Sequence, residues 1–256
     1  MFDNMAKNIN YRVLAIDLDG TLIGKDQCIS PAVSKSVKRI AEVLDVCILS
    51  GRESSDVLAF AKELKLKSPQ VSDNGAMILD PLDRTVIWCR ALGIENAEKI
   101  INLLDAWQIA FIATYIGGTV RDIKSITNQN FIRVSALDLE QHIADKLVSY
   151  FYNINYLHVV KVALPYNGMW AVDFTCDGVT KGTAIHRLAR ILNVTTKEII
   201  AVGDSYNDLP LLKECGLKIA MNDAPYDLRK IADYVAPSVE LDGLATAIEQ
   251  SIFPRL

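Results

Sequence analysis

Short apolar runs alternate with amphipathic, helix-length stretches at both ends of the chain, but not in its middle. Near the start, "RVLAID" predicts a buried strand, "SPAVSKSVKRIAEVL" a helix and "VCILS" a second strand. "DVLAFAKELKL" predicts another helix, and "QVSDNGAMIL" a short strand followed by a turn at Asn74-Gly75. Runs this apolar suit parallel strands covered on both faces. In the first helix Ser30 stands at the N-cap and Pro31 at the first helical position, while Val33, Val37, Ile40 and Leu44 mark one face. This order predicts an α/β fold built on a doubly wound parallel sheet.

From about Asp83 to Asp177 strands outnumber helices: "TVIWCRAL", "IAFIATY", "FIRVSAL", "LHVVKVAL" and "MWAVDFT", with helices at "NAEKIINLLDAW" and "LEQHIADKLVSYFYN". That is an α+β composition. Alternation resumes with "TKGTAIHRLARIL", "EIIAVGD", "YNDLPLLKEC", "GLKIAM" and "APYDLRKIA". The expected organisation is a sheet domain split between residues 1–82 and 179–256, with an α+β module at 83–178 inserted between its halves.

Composition removes several classes of function. Half of the 256 residues are hydrophobic, as in an ordinary globular protein, and the net charge is −4. Basic residues are scattered, which argues against a nucleic-acid partner. The most apolar window, "AWQIAFIATYIGG", is too short to span a bilayer. The five cysteines include no CxxC pair and read as reduced thiols, and the polar start "MFDNMAKNINYR" lacks a signal-peptide core. A cytoplasmic protein without a membrane partner, monomeric or homodimeric, is expected.

In open parallel sheets ligands bind beyond the carboxyl ends of the strands. Polar residues gather at those ends: Asp17, Asp19 and Thr21 after the first strand, Ser50, Gly51 and Arg52 after the second, and Asn74 after the third. Gly203, Asp204, Ser205, Asn207 and Asp208 follow a late strand, and Lys181 opens a helix. Asp17, Asp19 and Asp204 at one sheet edge repel one another unless a hard cation such as Mg²⁺ lies beside them. Asp208, one turn beyond Asp204, can face the same site. A carboxylate next to such an ion suits phosphoryl transfer: one carboxyl attacks phosphorus, and a second serves as acid and base. Lys181, Ser50 and the backbone near Gly20 and Gly51 supply charge and donors to the transferring group.

"DLDGTL" resembles the first motif of the haloacid dehalogenase superfamily, Asp-x-Asp-x-Thr. "ILSGR" is similar to the second, "TKG" to the third, and "GDSYNDLPLL" to the fourth, Gly-Asp-x-x-Asn-Asp. The "SDNGA" turn, the long insert before "GVTKG" and the "ADYV" tail resemble the Cof-type branch, whose cap lies between motifs two and three. The resemblance implies a Rossmann-like core with an inserted α+β cap, and Mg²⁺-dependent phosphatase activity on a small phosphorylated metabolite, such as a sugar phosphate or phosphoglycolate. It implies Asp17 as nucleophile and Asp19 as general acid/base. Lys181 and Ser50 would bind phosphate, with Thr21, Gly51, Asn74 and Asn207 around the substrate. Asp17, the Asp19 carbonyl and Asp204 would hold the metal, with Asp208 in support. A phosphosugar mutase and a non-catalytic phosphometabolite-binding protein are the alternatives.

The branch often reads Ala-Met-Gly-Asn-Ala where this chain has "AMNDA". Asn222 and Asp223 thus add a negative charge near the site, which bears on substrate preference more than on chemistry. Other residues have plainer readings. Ser50 could cap the next helix, Arg52 pairs locally, and Asn74-Gly75 is a hairpin turn. His142, His158 and His186 are structural or surface residues, and Trp88, Trp107 and Trp170 are packing. Cys176 approaches the site without sign of a low pKa. Arg121, Lys124, Arg133 and Lys161 in the insert read as solvated surface.

Overall fold

The structure is a computed structural model, and it describes residues 10–256 except 128, 153, 165 and 166. The first half of the core contains β1 (Val13–Ile16), α1 (Pro31–Ile40), β2 (Asp45–Ile48), α2 (Ser54–Leu64), β3 (Gln70–Ser72), β4 (Met77–Leu79) and β5 (Val86–Cys89). The insert contains α3 (Ile94–Ala106), β6 (Phe111–Tyr115), β7 (Gly118–Val120), β8 (Phe131–Leu139), α4 (Gln141–Phe151), β9 (Leu157–Ala163) and β10 (Trp170–Cys176). The chain returns through α5 (Lys181–Ile191), β11 (Ile199–Gly203), α6 (Leu209–Glu214), β12 (Leu217–Met221), α7 (Tyr226–Ile231), β13 (Tyr234–Ala236) and α8 (Gly243–Ala247).

Five parallel strands form the core sheet in the order β13-β12-β11-β1-β2. The period-two alternation of a strand divides its side chains between two hydrophobic layers. Leu14, Ile16, Ile48 and Val202 pack under α1, α2 and α8. Val13, Ala15, Cys47 and Ala201 pack against α5, α6 and α7. Both faces are covered, which is why these strands read as continuous apolar runs. Ser30 caps α1 as expected, its Oγ accepting from Val33 N at 3.1 Å.

The region after β2 differs from expectation in one respect. "TVIWCRAL" does not join the inserted module. As β5 it pairs antiparallel with β4, and β3, β4 and β5 form their own three-stranded ribbon. The reason is local: Asp80 N donates to Thr85 O, and the Asp80 and Asp83 side chains accept from Leu82 N and Thr85 N, closing a tight turn. A parallel bridge between Leu49 and Val71 joins this ribbon to β2.

The insert is an antiparallel sheet ordered β7-β6-β8-β10-β9. Phe111, Ala113, Val134, Ala136, Val172 and Phe174 pack against α3 and α4. Alternate residues therefore point away from the helices. Ile112, Arg133, Ser135, Leu137, Ala171 and Asp173 line a cleft together with the carboxyl-end loops of the core sheet. No helix among the described residues is long and apolar enough to cross a membrane.

Candidate active site

Asp17 follows β1 directly, and its N–H donates to Val202 O of the neighbouring strand at 2.9 Å. Parallel pairing of β1 with β11 thereby brings Asp17 beside the loop that carries Asp204 and Asp208. Carboxylate oxygens of Asp17, Asp204 and Asp208 lie within 4.8 Å of one another. Gly20 has φ +82°, and a Cβ there would stand 2.2 Å from Asp204 Oδ2. A side chain at position 20 is therefore incompatible with Asp204 where it stands. Thr21, fully buried, donates to Asp204 Oδ1 at 3.3 Å.

Lys181 opens α5 behind the N-cap Thr180 and is 1 % exposed. Its ammonium bonds Asp17 Oδ1, and Asp208 Oδ1 at 2.6 Å. Burial leaves this lysine no role as a solvated surface charge. Asp208 Oδ2 accepts from the backbone N–H groups of Asp204 and Ser205 at 3.1 and 3.0 Å. Both oxygens of Asp208 are engaged, so it braces the Asp204 loop and holds the lysine.

Burial dominates the electrostatics. It pushes the Asp17 carboxyl up to about 7, with the Asp208 charge adding to the rise and Lys181 opposing it. Asp204 is raised well above the usual carboxylate range by burial, then by the Asp17 and Asp208 charges. Burial alone would lower Lys181, but its two carboxylate partners hold it above the ordinary range. Lys181 bonds Asp17 and Asp208, while Asp204 is left facing another carboxylate. Hard oxygens with uncompensated charge beside Asp17 and Asp204 fit a divalent cation such as Mg²⁺.

Asp19 is not part of this cluster. Arg52 holds its carboxylate from both sides, Nε to Oδ2 at 2.9 Å and Nη2 to Oδ1 at 2.5 Å, and also reaches Asp56 at 3.5 Å. The local pairing expected of Arg52 is thus seen, with Asp19 as its main partner. Ser50 is buried and its Oγ accepts from Arg52 N at 3.0 Å; Glu53, not Ser50, stands at the N-cap of α2. Asn74 sits in a tight turn between β3 and β4, as its Asn-Gly sequence suggests, with φ +56°. Its side chain donates to Asp173 of β10 at 2.5 Å and accepts from Asn207 at 3.3 Å. Asn222 and Asp223 are exposed after β12, neither has positive φ, and neither lines the cleft.

Arg133 corrects a surface expectation. It is 6 % exposed, at the junction of insert and core. Its Nε lies 3.1 Å from Asp73 Oδ1, an ion pair whose N–H is not aligned for a hydrogen bond. Nη1 donates to Gly51 O and lies 3.5 Å from Asp173 Oδ1. The signal for this junction was present in "FIRVSAL" and "AVDF", where polar residues take the face opposite a helix-covered apolar one. Lys161 pairs with Asp145 at 2.5 Å and lies over the Trp170 ring. Trp107 is 44 % exposed against the edge of Tyr150, so packing is only part of its surroundings. His142 and His186 pair with Glu140 and Glu214. Cys176 Sγ accepts from Arg90 Nε at 3.1 Å.

Residues 14–248 match the model of the haloacid dehalogenase-like hydrolases, and the chain belongs to that family. Among curated relatives, a 5-amino-6-(5-phospho-D-ribitylamino)uracil phosphatase of Bacillus subtilis is 25 % identical over 245 residues, covering 94 % of this chain and 96 % of its own. A phosphoglycolate phosphatase of Methanothermobacter thermautotrophicus is 22 % identical over 241 residues, covering 93 % and 98 %. A haloacid dehalogenase-like hydrolase of B. subtilis superposes with a TM-score of 0.82 at 20 % identity, covering 94 % and 99 % of the two chains. A subclass IIB sugar phosphatase does so with 0.77 at 19 %, covering 96 % and 100 %; these two likenesses concern the fold. The chain is thus a haloacid dehalogenase-like hydrolase, and these curated relatives are phosphatases.

Proposed function

We infer that this chain is a Mg²⁺-dependent phosphatase that takes the phosphoryl group of its substrate onto Asp17 and passes it to water. The observation that carries this reading is the placement of buried Asp17 between the Lys181 ammonium and Asp204. Asp17 and Asp204 would hold the Mg²⁺, which when bound neutralises charge on the phosphate oxygens. Lys181 fixes Asp17 through one oxygen, leaving the other to attack phosphorus. Ser50, Gly51 and Lys181 surround the phosphate with donors. Asp19 lines the same cleft, and on release from Arg52, which holds both its oxygens, it would protonate the leaving alkoxide and then deprotonate the attacking water.

The cleft, about 500 Å³, is larger than a phosphoglycolate needs. Its wall from the inserted sheet is apolar at Ile112, Leu137, Val162, Leu164 and Ala171. Glu53 lines the same cleft, and its buried Oε2 has no partner among the described residues. An apolar wall facing acceptors such as Glu53, Gln27 and Asn207 favours a leaving group with both a flat apolar face and hydroxyl or N–H donors. Among the substrates named for relatives, the ribitylaminouracil phosphate has that character and glycolate phosphate does not.

The test is hydrolysis of a panel of phosphorylated metabolites with and without Mg²⁺. The expected result is metal-dependent phosphate release, highest for esters of ring-bearing polyols and abolished in Asp17→Asn. Metal-independent turnover, or full activity in Asp17→Asn, would sink the reading.

A further inference from the structure

Insert and core meet through one buried polar network. From the insert come Arg133, Thr114 and Asp173; from the core come Gly51 O, Asp73 and Asn74. Thr114 Oγ1 donates to Asp73 Oδ1 at 2.9 Å, and Ser72 Oγ donates to Asp73 Oδ2 at 2.8 Å. Asn74 Nδ2 donates to Asp173 Oδ2 at 2.5 Å, and Ser135 Oγ donates to Asp173 Oδ1. The Arg133 guanidinium joins both acids and caps Gly51 O. One cation thus faces two buried carboxylates contributed by different parts of the chain. Burial pushes the Asp73 carboxyl up, and Arg133, Ser72 and Thr114 pull it back.

The core half of this network carries groups assigned above to phosphate and substrate. Gly51 follows Ser50, and a Cβ at Gly51 would stand 3.0 Å from Asn74 Oδ1, so the loop and the turn are in close contact. Asn74 N donates to Ser50 O, and Asp73 N to Arg52 O, which ties the turn to the loop after β2. Asp73 and Asn74 both have positive φ, at +53° and +56°, a conformation that costs a non-glycine residue energy and persists where surrounding contacts hold it. From the insert the turn meets two charged groups among the described residues, the Arg133 cation beside Asp73 and the Asp173 carboxylate on Asn74.

We propose that Arg133 is a positioning residue, which locks the Ser50–Gly51 loop and the Asp73–Asn74 turn into their phosphate-binding geometry when the insert is seated on the core. Its role in turnover rests on the phosphatase reading; its role in holding the loop does not. Arg133 acts through the Gly51 carbonyl and through Asp73, not through contact with the reacting atoms. Substrate selectivity by the insert and phosphate capture by the core are then coupled by a single guanidinium.

The test compares full-length wild type with Arg133→Met and Arg133→Lys. Backbone hydrogen exchange is read without ligand, and inorganic phosphate is used as a competitive inhibitor of nitrophenyl phosphate hydrolysis with Mg²⁺. Arg133→Met is expected to speed exchange selectively at residues 50–53 and 72–76. It should also raise the inhibition constant of phosphate by about ten- to a hundredfold, as small misplacements in a site do. Arg133→Lys, which keeps the charge and loses the fork, should recover part of both. Unchanged exchange at these segments overturns the proposal, as does loosened exchange with phosphate bound as tightly as by the wild type. Loosening spread over the whole core also overturns it. If the wild type neither hydrolyses the ester nor binds phosphate, the phosphatase reading fails, and exchange alone decides the role of Arg133. Should Arg133→Met not fold, Thr114→Val removes a hydroxyl from Asp73 without stranding a charge. A smaller change at the same segments supports the proposal, and none overturns it.

Discussion

Gly20 and Asp204 are packed so closely that no side chain fits between them: a Cβ on Gly20 would lie 2.2 Å from Asp204 Oδ2. The two residues come from loops after β1 and β11, and the parallel pairing of those strands sets their separation. In Gly20→Ala either the loop or the carboxylate must move. The left-handed φ adds about 1–2 kcal/mol of backbone cost for a residue with a Cβ. Weaker Mg²⁺ binding is expected, with kcat/KM reduced about a hundredfold. Isothermal titration with Mg²⁺ and steady-state kinetics check both.

Replacing Lys181 removes the cation that two buried carboxylates share. Lys181→Met should lose about 10²–10³ in kcat, as when a charge stabiliser is removed from a transition state. It should also lose about 3–5 kcal/mol of stability, since Asp17 and Asp208 are left uncompensated. Urea unfolding, followed by circular dichroism in metal-free buffer, measures the second effect separately from the first. A variant as active and as stable as the wild type would show that the ion pairs carry neither function.

His158 on β9 gives a pH signature. Burial holds its pKa below the ordinary value of about 6.5, with Asp177 and Asp173 opposing. The unfolded chain therefore binds a proton at a higher pH than the folded one. The resulting penalty is absent well above pH ~6.5, sets in as the pH falls through that value, and is complete once the folded imidazole also titrates. Urea midpoints of wild type and His158→Gln should diverge between pH 8 and pH 5.5, with the variant losing less on acidification. Parallel midpoints would contradict the assigned burial.

The thiols should divide into reactive and silent groups. Cys28 is exposed, whereas Cys47 and Cys215 are buried. Burial raises both buried thiols, Cys215 to about 12, so they stay protonated and out of reach at neutral pH. Ellman's reagent should label Cys28 promptly in the native protein. Cys47 and Cys215 should appear only on unfolding, which peptide mapping of the labelled protein distinguishes.

Much of the core was legible because its strands are buried on both faces and so read as apolar runs with polar ends. Asp17, Thr21, Ser50, Asn74 and Asp204 could each be picked out at such an end, and Lys181 at the start of a helix. The grouping of "TVIWCRAL" with the insert failed for a physical reason. A strand's sequence records its burial, whereas its partner here is set by the turn from Asp80 to Thr85. Arg133 was misread for a related reason, since a charged residue in a strand looks the same whether its face meets water or another domain.

By itself the sequence determined which residue types stand at the strand ends, and in what order the chain delivers them. Alternation and apolarity are local consequences of burial, and they survive in the linear string. Only the tertiary structure decided that Asp208 is consumed by Lys181 and two backbone amides, that Arg52 claims Asp19, and that one buried arginine ties insert to core. Those facts are distances between residues far apart in the chain, and charge interactions depend on separation and burial, neither of which one-dimensional spacing encodes.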